Sequence, residues 1–81
     1  MYTKMTVDVI ALHTKDGKTR PVRMRLGDGT VVEIDRFLHS ERAASTKVGG
    51  CGTRYTVMIR GRERYIFEDD DVWYVEAEVR D

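Results

Sequence analysis

The sequence predicts an all-β fold, formed by a single small domain over residues 1–81. Turn-forming residues recur at regular intervals, and between them apolar and polar residues alternate with the period of two that is typical of strands with one buried face. The turn signals are Asp16-Gly17, Gly27-Asp28-Gly29, Gly49-Gly50, Gly52, Gly61 and Glu68-Asp69-Asp70-Asp71. A chain of this length has no room for a second hydrophobic core.

The first two predicted strands form a hairpin. Strand one covers residues 3–13, and its alternation around Val7 changes phase at Ile10, which suggests a bulge or a bend. The Asp-Gly pair that follows is a strong hairpin signal. Strand two begins near residue 19. Pro21 is expected at its start or at a sheet edge, because proline cannot donate a hydrogen bond to a ladder.

The later strands are shorter. Strand three follows the second turn, and strands four, five and six hold the alternating runs near residues 55, 65 and 73. Residues 36–44 break the alternation, so we interpret them as the continuation of a bent strand or a short irregular excursion. The inward positions should form one buried cluster. Its expected members are Val7, Val22, Met24, Val32, Ile34, Val57, Ile59, Phe67, Trp73 and Val75.

Five or six short strands are too few for an immunoglobulin-sized sandwich. They fit a small, strongly bent antiparallel sheet that closes on itself, as in SH3-like or OB-like barrels. An OB-like barrel should carry a helix between strands three and four, and the candidate at residues 40–47 is too short. The expectation is therefore an SH3-like, partly open barrel.

Composition narrows the setting. Fourteen basic and fourteen acidic side chains cancel, so the net charge attracts neither nucleic acid nor an anionic membrane. No apolar run approaches the ~18 residues of a membrane span, and the N-terminal residues lack the features of a signal peptide. Cys51 is the only cysteine and cannot form an internal disulfide. These observations predict a cytoplasmic protein.

Several short segments recur in a recognisable group of proteins. They are Glu33-Ile34-Asp35-Arg36, Ala43-Ala44-Ser45, Gly49-Gly50, Gly52-Thr53-Arg54-Tyr55-Thr56 and Asp71-Val72-Trp73-Tyr74-Val75-Glu76. In these segments, which extend over most of the chain, the sequence resembles small uncharacterised bacterial all-β proteins of the SH3-like barrel type. The resemblance implies a bacterial cytosolic β-domain. That group has no assigned activity, so no site residue is carried over.

The residue types that support catalysis or metal binding are sparse. Zinc sites need ligands in closely spaced pairs, whereas Cys51, His13 and His39 each stand alone. Cys51 and His39 are conceivable as a nucleophile–base pair, but no third residue is marked out to orient the histidine. We therefore predict no enzymatic activity, no metal and no cofactor.

The glycine-rich loop at residues 47–54 is one candidate site. Glycines let backbone amides approach an anion, and cationic side chains flank the loop. The alternative is a flexible connection without a ligand. The residues of this candidate site for an anion or a partner are Arg42, Lys47, Gly49, Gly50, Gly52 and Arg54.

A second candidate surface combines arginines with a tyrosine that could stack on bases. Its residues are Arg23, Arg25, Arg60, Arg62, Arg64 and Tyr65. Cross-strand pairing with glutamates explains the same arginines without a ligand, and zero net charge favours that interpretation over nucleic-acid binding. The favoured function is thus a non-enzymatic interaction or accessory module whose partner is another protein or a second copy of itself. Nucleic-acid binding is the alternative, and no membrane partner is expected.

Overall fold

Seven antiparallel strands form one curled sheet in the computed structural model, which describes residues 2–44 and 51–78. The described part of the chain contains no helix. The strands are β1 (Tyr2–His13), β2 (Thr19–Arg25), β3 (Val31–Glu33), β4 (Arg36–Ala44), β5 (Cys51–Ile59), β6 (Arg62–Asp69) and β7 (Val72–Glu78). Their order across the sheet is β3-β2-β1-β7-β6-β5-β4. The all-β prediction is confirmed, with one or two strands more than expected.

The extra strand is β4, which sequence reasoning treated as a bent continuation or an irregular excursion. It pairs with β5 along its whole length, and the register shifts between Phe37 and His39. The shift leaves Leu38 as an additional residue, 37% exposed, which interrupts the period of two. Pairing with β5 therefore decides the conformation of a segment whose own alternation is broken.

A second irregularity lies between β1 and β2. Ile10 pairs with Arg23 and Ala11 pairs with Pro21, so Val22 is the bulged residue. The predicted bulge is present, but the extra residue lies in β2. Val22 is consequently 38% exposed, and its predicted place in the core is wrong. Pro21 takes the buried position, at a bulge where a missing N–H is tolerated.

Short turns connect the strands. The predicted positive φ is confirmed at Gly29 (90°) and Gly61 (76°). The two-residue turns at Arg60-Gly61 and Asp70-Asp71 have positive φ at both positions, the geometry that matches the twist of a tight hairpin. In the turn before β3, the Asp28 carboxylate accepts a hydrogen bond from the Thr30 amide at 2.9 Å, and this bond lowers the pKa of Asp28.

The core lies on the concave face of the sheet. Its buried members are Val7, Met24, Tyr55, Val57 and Ile66. Apart from Val22, six further residues of the predicted core are buried or half-buried, and they lie on two different faces of the sheet. Val32, Ile34, Ile59, Trp73 and Val75 pack against this core, whereas Phe67 is buried on the convex face.

The position of Phe67 corrects the predicted register of β6. Ile66, not Phe67, faces the concave core with Tyr55 and Val57. Phe67 stacks on Tyr74 with ring centroids 5.1 Å apart, and the Lys4 ammonium lies 4.5 Å from the Tyr74 ring centroid. The sheet thus buries a small aromatic pair on its convex face as well.

The sheet divides into two arms, which meet at the β6–β7 turn. We call β3-β2-β1-β7 the first arm and β6-β5-β4 the second arm. The link between β3 and β4 joins the arms at the other end. There the Ile34 amide donates to the Val22 carbonyl at 3.2 Å and the Asp35 amide donates to the Met58 carbonyl at 2.8 Å. The result is a half-barrel, with one side joined and one side open.

Candidate binding cleft between the two arms

The open side of the half-barrel is a cleft between β6 and β7. These strands pair only from Asp69–Val72 to Phe67–Tyr74. Beyond that point β6 continues along β5 and β7 continues along β1. The separation leaves a cleft of about 490 Å³, which we call the arm cleft, and which a neighbouring space of about 430 Å³ extends toward the β5–β6 turn.

Apolar side chains from both arms form the floor of the arm cleft. They occupy alternate, concave-facing positions of their strands, so the cleft is an accessible part of the core. The floor consists of Met5, Met24, Leu26, Val32, Ile59 and Val75. Most of these side chains are only half-buried, and partly exposed apolar floors of this kind are typical of ligand-binding sites.

Three arginines line the extended part of the arm cleft. Arg62 and Arg64 share the face of β6 that carries Ile66, because they stand at alternate positions opposite Ile59 and Val57. Arg60 joins them from the turn. Within residues 2–44 and 51–78, none of the three forms an ion pair. This edge of the cleft therefore presents three arginine side chains that form no salt bridge within the described residues.

The backbone of β6 adds polar groups to the cleft. A two-residue turn makes Ile59–Arg62 a hydrogen-bonded pair, so hydrogen bonds to β5 alternate from Arg62 onward. The amide and carbonyl groups of Glu63 and Tyr65 consequently point away from β5, toward the arm cleft. In the described structure the β6–β7 ladder ends before it reaches them. The arm cleft thus contains a free strand edge.

Carboxylates are also present at the arm cleft. Glu63 and Glu76 are among its lining residues, together with Tyr2 and Tyr65. By strand alternation Glu63 and Tyr65 belong to the convex face of β6, opposite to Arg62 and Arg64. Arg62 and Arg64 therefore lie on the concave side of the strand edge, and Glu63 lies on its convex side, where Arg54 also stands over the Tyr65 ring.

The first predicted site falls only partly within the described residues, since Lys47, Gly49 and Gly50 lie outside them. Cys51–Ile59 is strand β5, so the end of the predicted loop is a paired strand. Gly52 is buried, and a Cβ there would lie 2.3 Å from the Glu68 carbonyl oxygen. Its lack of a side chain serves strand packing.

The arginines of that first site do not converge. Arg54 lies opposite Glu41 and forms an ion pair with it, and its guanidinium carbon lies 4.9 Å from the Tyr65 ring centroid. Arg42 is the neighbour of Glu41 along β4 and faces the other side of the sheet. The described part of this candidate site therefore provides no shared anion pocket.

The second predicted surface is divided by the topology. Strands β1 and β7 lie between β2 and β6, so the arginines of the two strands do not form one stripe. Arg23 pairs with Glu33 at 2.7 Å and Arg25 pairs with Asp8 at 2.8 Å. Arg60, Arg62, Arg64 and Tyr65 line the arm cleft and its extension instead.

The two residues considered as a catalytic pair, Cys51 and His39, are also far apart. His39 is opposite Thr56 and Cys51 is opposite Ala44, a separation of five positions along the ladder, or about 16 Å. No group of three potential metal ligands occurs among the described residues. Burial, with help from a hydrogen bond to Glu68, raises the pKa of Tyr55 to about 12, so this phenol stays protonated and structural at neutral pH.

Sequence reasoning missed the free edge of β6, although a signal for it exists. Arg60, Arg62, Arg64 and Ile66 follow each other at a spacing of two. Charged side chains at the start of a core-facing series indicate where a strand leaves the core. The phase of Tyr65 and Phe67, taken as inward, concealed this series.

Comparison of the chain with protein-family models, with curated proteins and with solved structures finds no match. No helix among the described residues is long and apolar enough to cross a membrane.

Proposed function

We propose that this half-barrel is a non-enzymatic, SH3-like interaction module that receives a segment of another protein in the arm cleft. The supporting observation is the separation of β6 from β7, which combines an apolar floor, a free strand edge and three arginines that form no ion pair in the part of the chain that the structure describes. A bacterial cytoplasm is the setting that we propose for it.

The arm cleft leaves a half-buried apolar floor and exposed arginine side chains in contact with water. Removing the apolar floor from water would stabilise a complex in proportion to the area covered. Arginine is enriched at protein interfaces and is frequent among the residues that dominate binding energy. A bound partner would supply both the apolar cover and the counter-charge that the described residues do not supply.

Selection of binders from a random peptide library displayed on phage tests this function. We expect enriched peptides to shift the amide NMR signals of Leu26, Val32 and Ile59 on titration into the labelled domain. The double variant Arg62→Ala/Arg64→Ala should lose this binding. The matched control Arg23→Ala/Arg25→Ala, on the convex face, should keep it. Enriched peptides whose shifts map elsewhere, or equal binding by the two variants, would contradict the proposal.

Single-stranded nucleic acid is a second candidate occupant. The observation in its favour is that Tyr65 and Arg64 both line the arm cleft, although they face opposite sides of β6, since bases stack on aromatic rings near cationic groups. Binding of an oligothymidylate should then weaken steeply with salt. Retention that is independent of salt, or that survives Arg62→Ala/Arg64→Ala, would exclude it.

Self-association remains part of the proposal, because both outer strands, β3 and β4, present sheet edges. Light scattering over a range of protein concentrations tests it. A mass that stays that of one chain at all concentrations would rule out a second copy as the partner.

A further inference from the structure

We infer that the occupant of the arm cleft is an extended acidic peptide segment, which pairs as an additional antiparallel strand with the free edge of β6. This inference rests on the proposed function and specifies its partner. The edge of β6 would recognise the main chain of the peptide. The arginines and the apolar floor would recognise its side chains.

The free edge supplies the main-chain component. Glu63 and Tyr65 present their amide and carbonyl groups toward the arm cleft at the spacing of a strand ladder. Addition of a peptide strand to such an edge is an established mode of recognition, in which the backbone supplies affinity and alternate side chains supply specificity.

The register of β6 specifies the alternate side chains. On the concave side, an antiparallel partner strand would place successive alternate residues opposite Ile66, Arg64 and Arg62. The residue opposite the fully buried Ile66 would lie over the half-buried apolar floor and should be apolar, and acidic residues complement two arginines that have no ion pair among the described residues. The expected motif is therefore apolar–any–acidic–any–acidic.

The convex side of the same edge argues against a polyanion. Glu63 stands between Arg62 and Arg64 on β6, and Glu76 lines the opposite wall. A nucleic-acid backbone carries negative charge at every nucleotide and would meet the Glu63 carboxylate between the two arginines. A peptide strand separates its two faces, so it can present acidic residues only to the arginines.

The test uses synthetic peptides and the whole chain. The probe is the capped peptide Val-Thr-Glu-Thr-Glu with serine flanks, and a reversed sequence serves as the composition-matched control. We expect the probe to bind in fluorescence anisotropy and the reversed peptide to bind roughly tenfold more weakly. N-methylation of the two threonines, whose amides would face β6, should weaken binding by roughly tenfold or more, whereas N-methylation of the two glutamates should change it little.

Charge exchange provides the second arm of the test. The variant Arg62→Glu/Arg64→Glu should lose the glutamate probe and bind the Val-Thr-Lys-Thr-Lys analogue in its place, because the complementarity is then reversed. Both arginines are exposed, and an unchanged melting temperature would show that the variant folds. Amide exchange at Glu63 and Tyr65 should slow when the wild-type chain is saturated with the probe.

The outcomes separate this inference from the proposed function. Arginine-dependent peptide binding that is equally sensitive to both N-methylation patterns would overturn strand pairing and leave the cleft as a protein-binding site. Binding of oligothymidylate without binding of any peptide would overturn both. Loss of the probe without gain of the lysine analogue in the reversed variant would overturn the acidic motif alone.

Discussion

Two hairpins of this molecule have similar turns but ladders of different length. The β5–β6 hairpin turns through Arg60-Gly61 and pairs over seven positions, from Ile59–Arg62 to Thr53–Glu68. The β6–β7 hairpin turns through Asp70-Asp71, also with positive φ, and pairs over three positions. Turn geometry starts a ladder in both, so the residues that follow the turn must decide how far each ladder extends.

The charged side chains further along β6 and β7 disfavour a longer second ladder, although the next two pairs beyond Phe67–Tyr74 would oppose no like charges. Continued pairing would place Glu63 directly opposite Glu78 and Arg64 opposite Ala77. Like charges opposite each other destabilise a sheet, and the concave arginines would have to enter the core without a partner. Divergence of the strands keeps these charges in water, and the arm cleft is the consequence.

The largest loss of stability should come from a substitution in the core of the β5–β6 hairpin, which we call the closed hairpin because its ladder extends over seven positions. Ile66 is fully buried between the strands of the second arm and the core of the first. Ile66→Ala should lower the free energy of unfolding by about 2–5 kcal/mol. The matched control Ile10→Ala removes the same atoms from a side chain that is 59% exposed and should cost less than about 0.5 kcal/mol. Urea denaturation measures both, and equal losses would contradict the assigned faces.

Close approach of β5 to β6 gives the next largest effect. A Cβ at Gly52 would lie 2.3 Å from the Glu68 carbonyl oxygen, whereas one at Gly27 meets no atom within 4 Å. Gly52→Ala should therefore destabilise the domain by about 2–3 kcal/mol, and Gly27→Ala should change stability by less than about 0.5 kcal/mol. Thermal unfolding of the two variants side by side checks this. A neutral Gly52→Ala would mean that the hairpin is less tightly closed.

Alkaline pH should weaken the closed hairpin through Tyr55. Its hydroxyl donates to Glu68 at 3.0 Å, and burial, followed by this bond and the Glu68 charge, raises its pKa from 10.0 to about 12. The raised pKa stabilises the fold fully below pH 10, and that stabilisation is lost as the pH rises from 10 to about 12. Urea midpoints across this range should fall more steeply for wild type than for Tyr55→Phe, and parallel curves would refute the assignment.

Exchange of turn residues should have a smaller effect. Asp71 has a φ of 66° and Gly61 has a φ of 76° at equivalent turn positions. Asp71→Gly should stabilise the domain by about 0.5–1 kcal/mol, and Gly61→Asp should destabilise it by a similar amount, because glycine adopts positive φ without steric cost. Denaturation midpoints measure both changes. Shifts of the same sign would show that turn geometry does not act alike in the two hairpins.

The smallest effect on stability is expected from a variant that changes the residues at which β6 and β7 separate. Glu63→Thr/Arg64→Val removes the like-charge opposition and one concave charge. We expect the β6–β7 ladder to extend, so that amide exchange at Tyr65 becomes slower in the free protein. The control Glu33→Thr/Arg25→Val changes the same residue types in the first arm and should leave Tyr65 unaffected. Unchanged exchange in the test variant would mean that charge does not hold the strands apart.

Local pattern was informative where a strand alternates without interruption. The inward phases of Val7, Met24 and Val57 were predicted correctly, because burial on one face imposes a period of two. The turns at Gly29 and Gly61 were predicted for an equally local reason, the steric cost of positive φ in other residues. The prediction was wrong at Val22, because a bulge turns this residue away from the core. It assigned Phe67 to the wrong face, because the sheet buries side chains on its convex face as well.

The amino-acid sequence by itself determined the all-β class, the strand-and-turn rhythm and most of the concave core, since each depends on neighbours along the chain. Only the tertiary structure decided that residues 36–44 form β4, that Arg23 and Arg25 are consumed in ion pairs, and that Arg62 and Arg64 face a cleft. Those outcomes depend on which strands lie side by side. Cross-strand pairing and closure bring together residues that are distant in the chain, and no local periodicity records that choice.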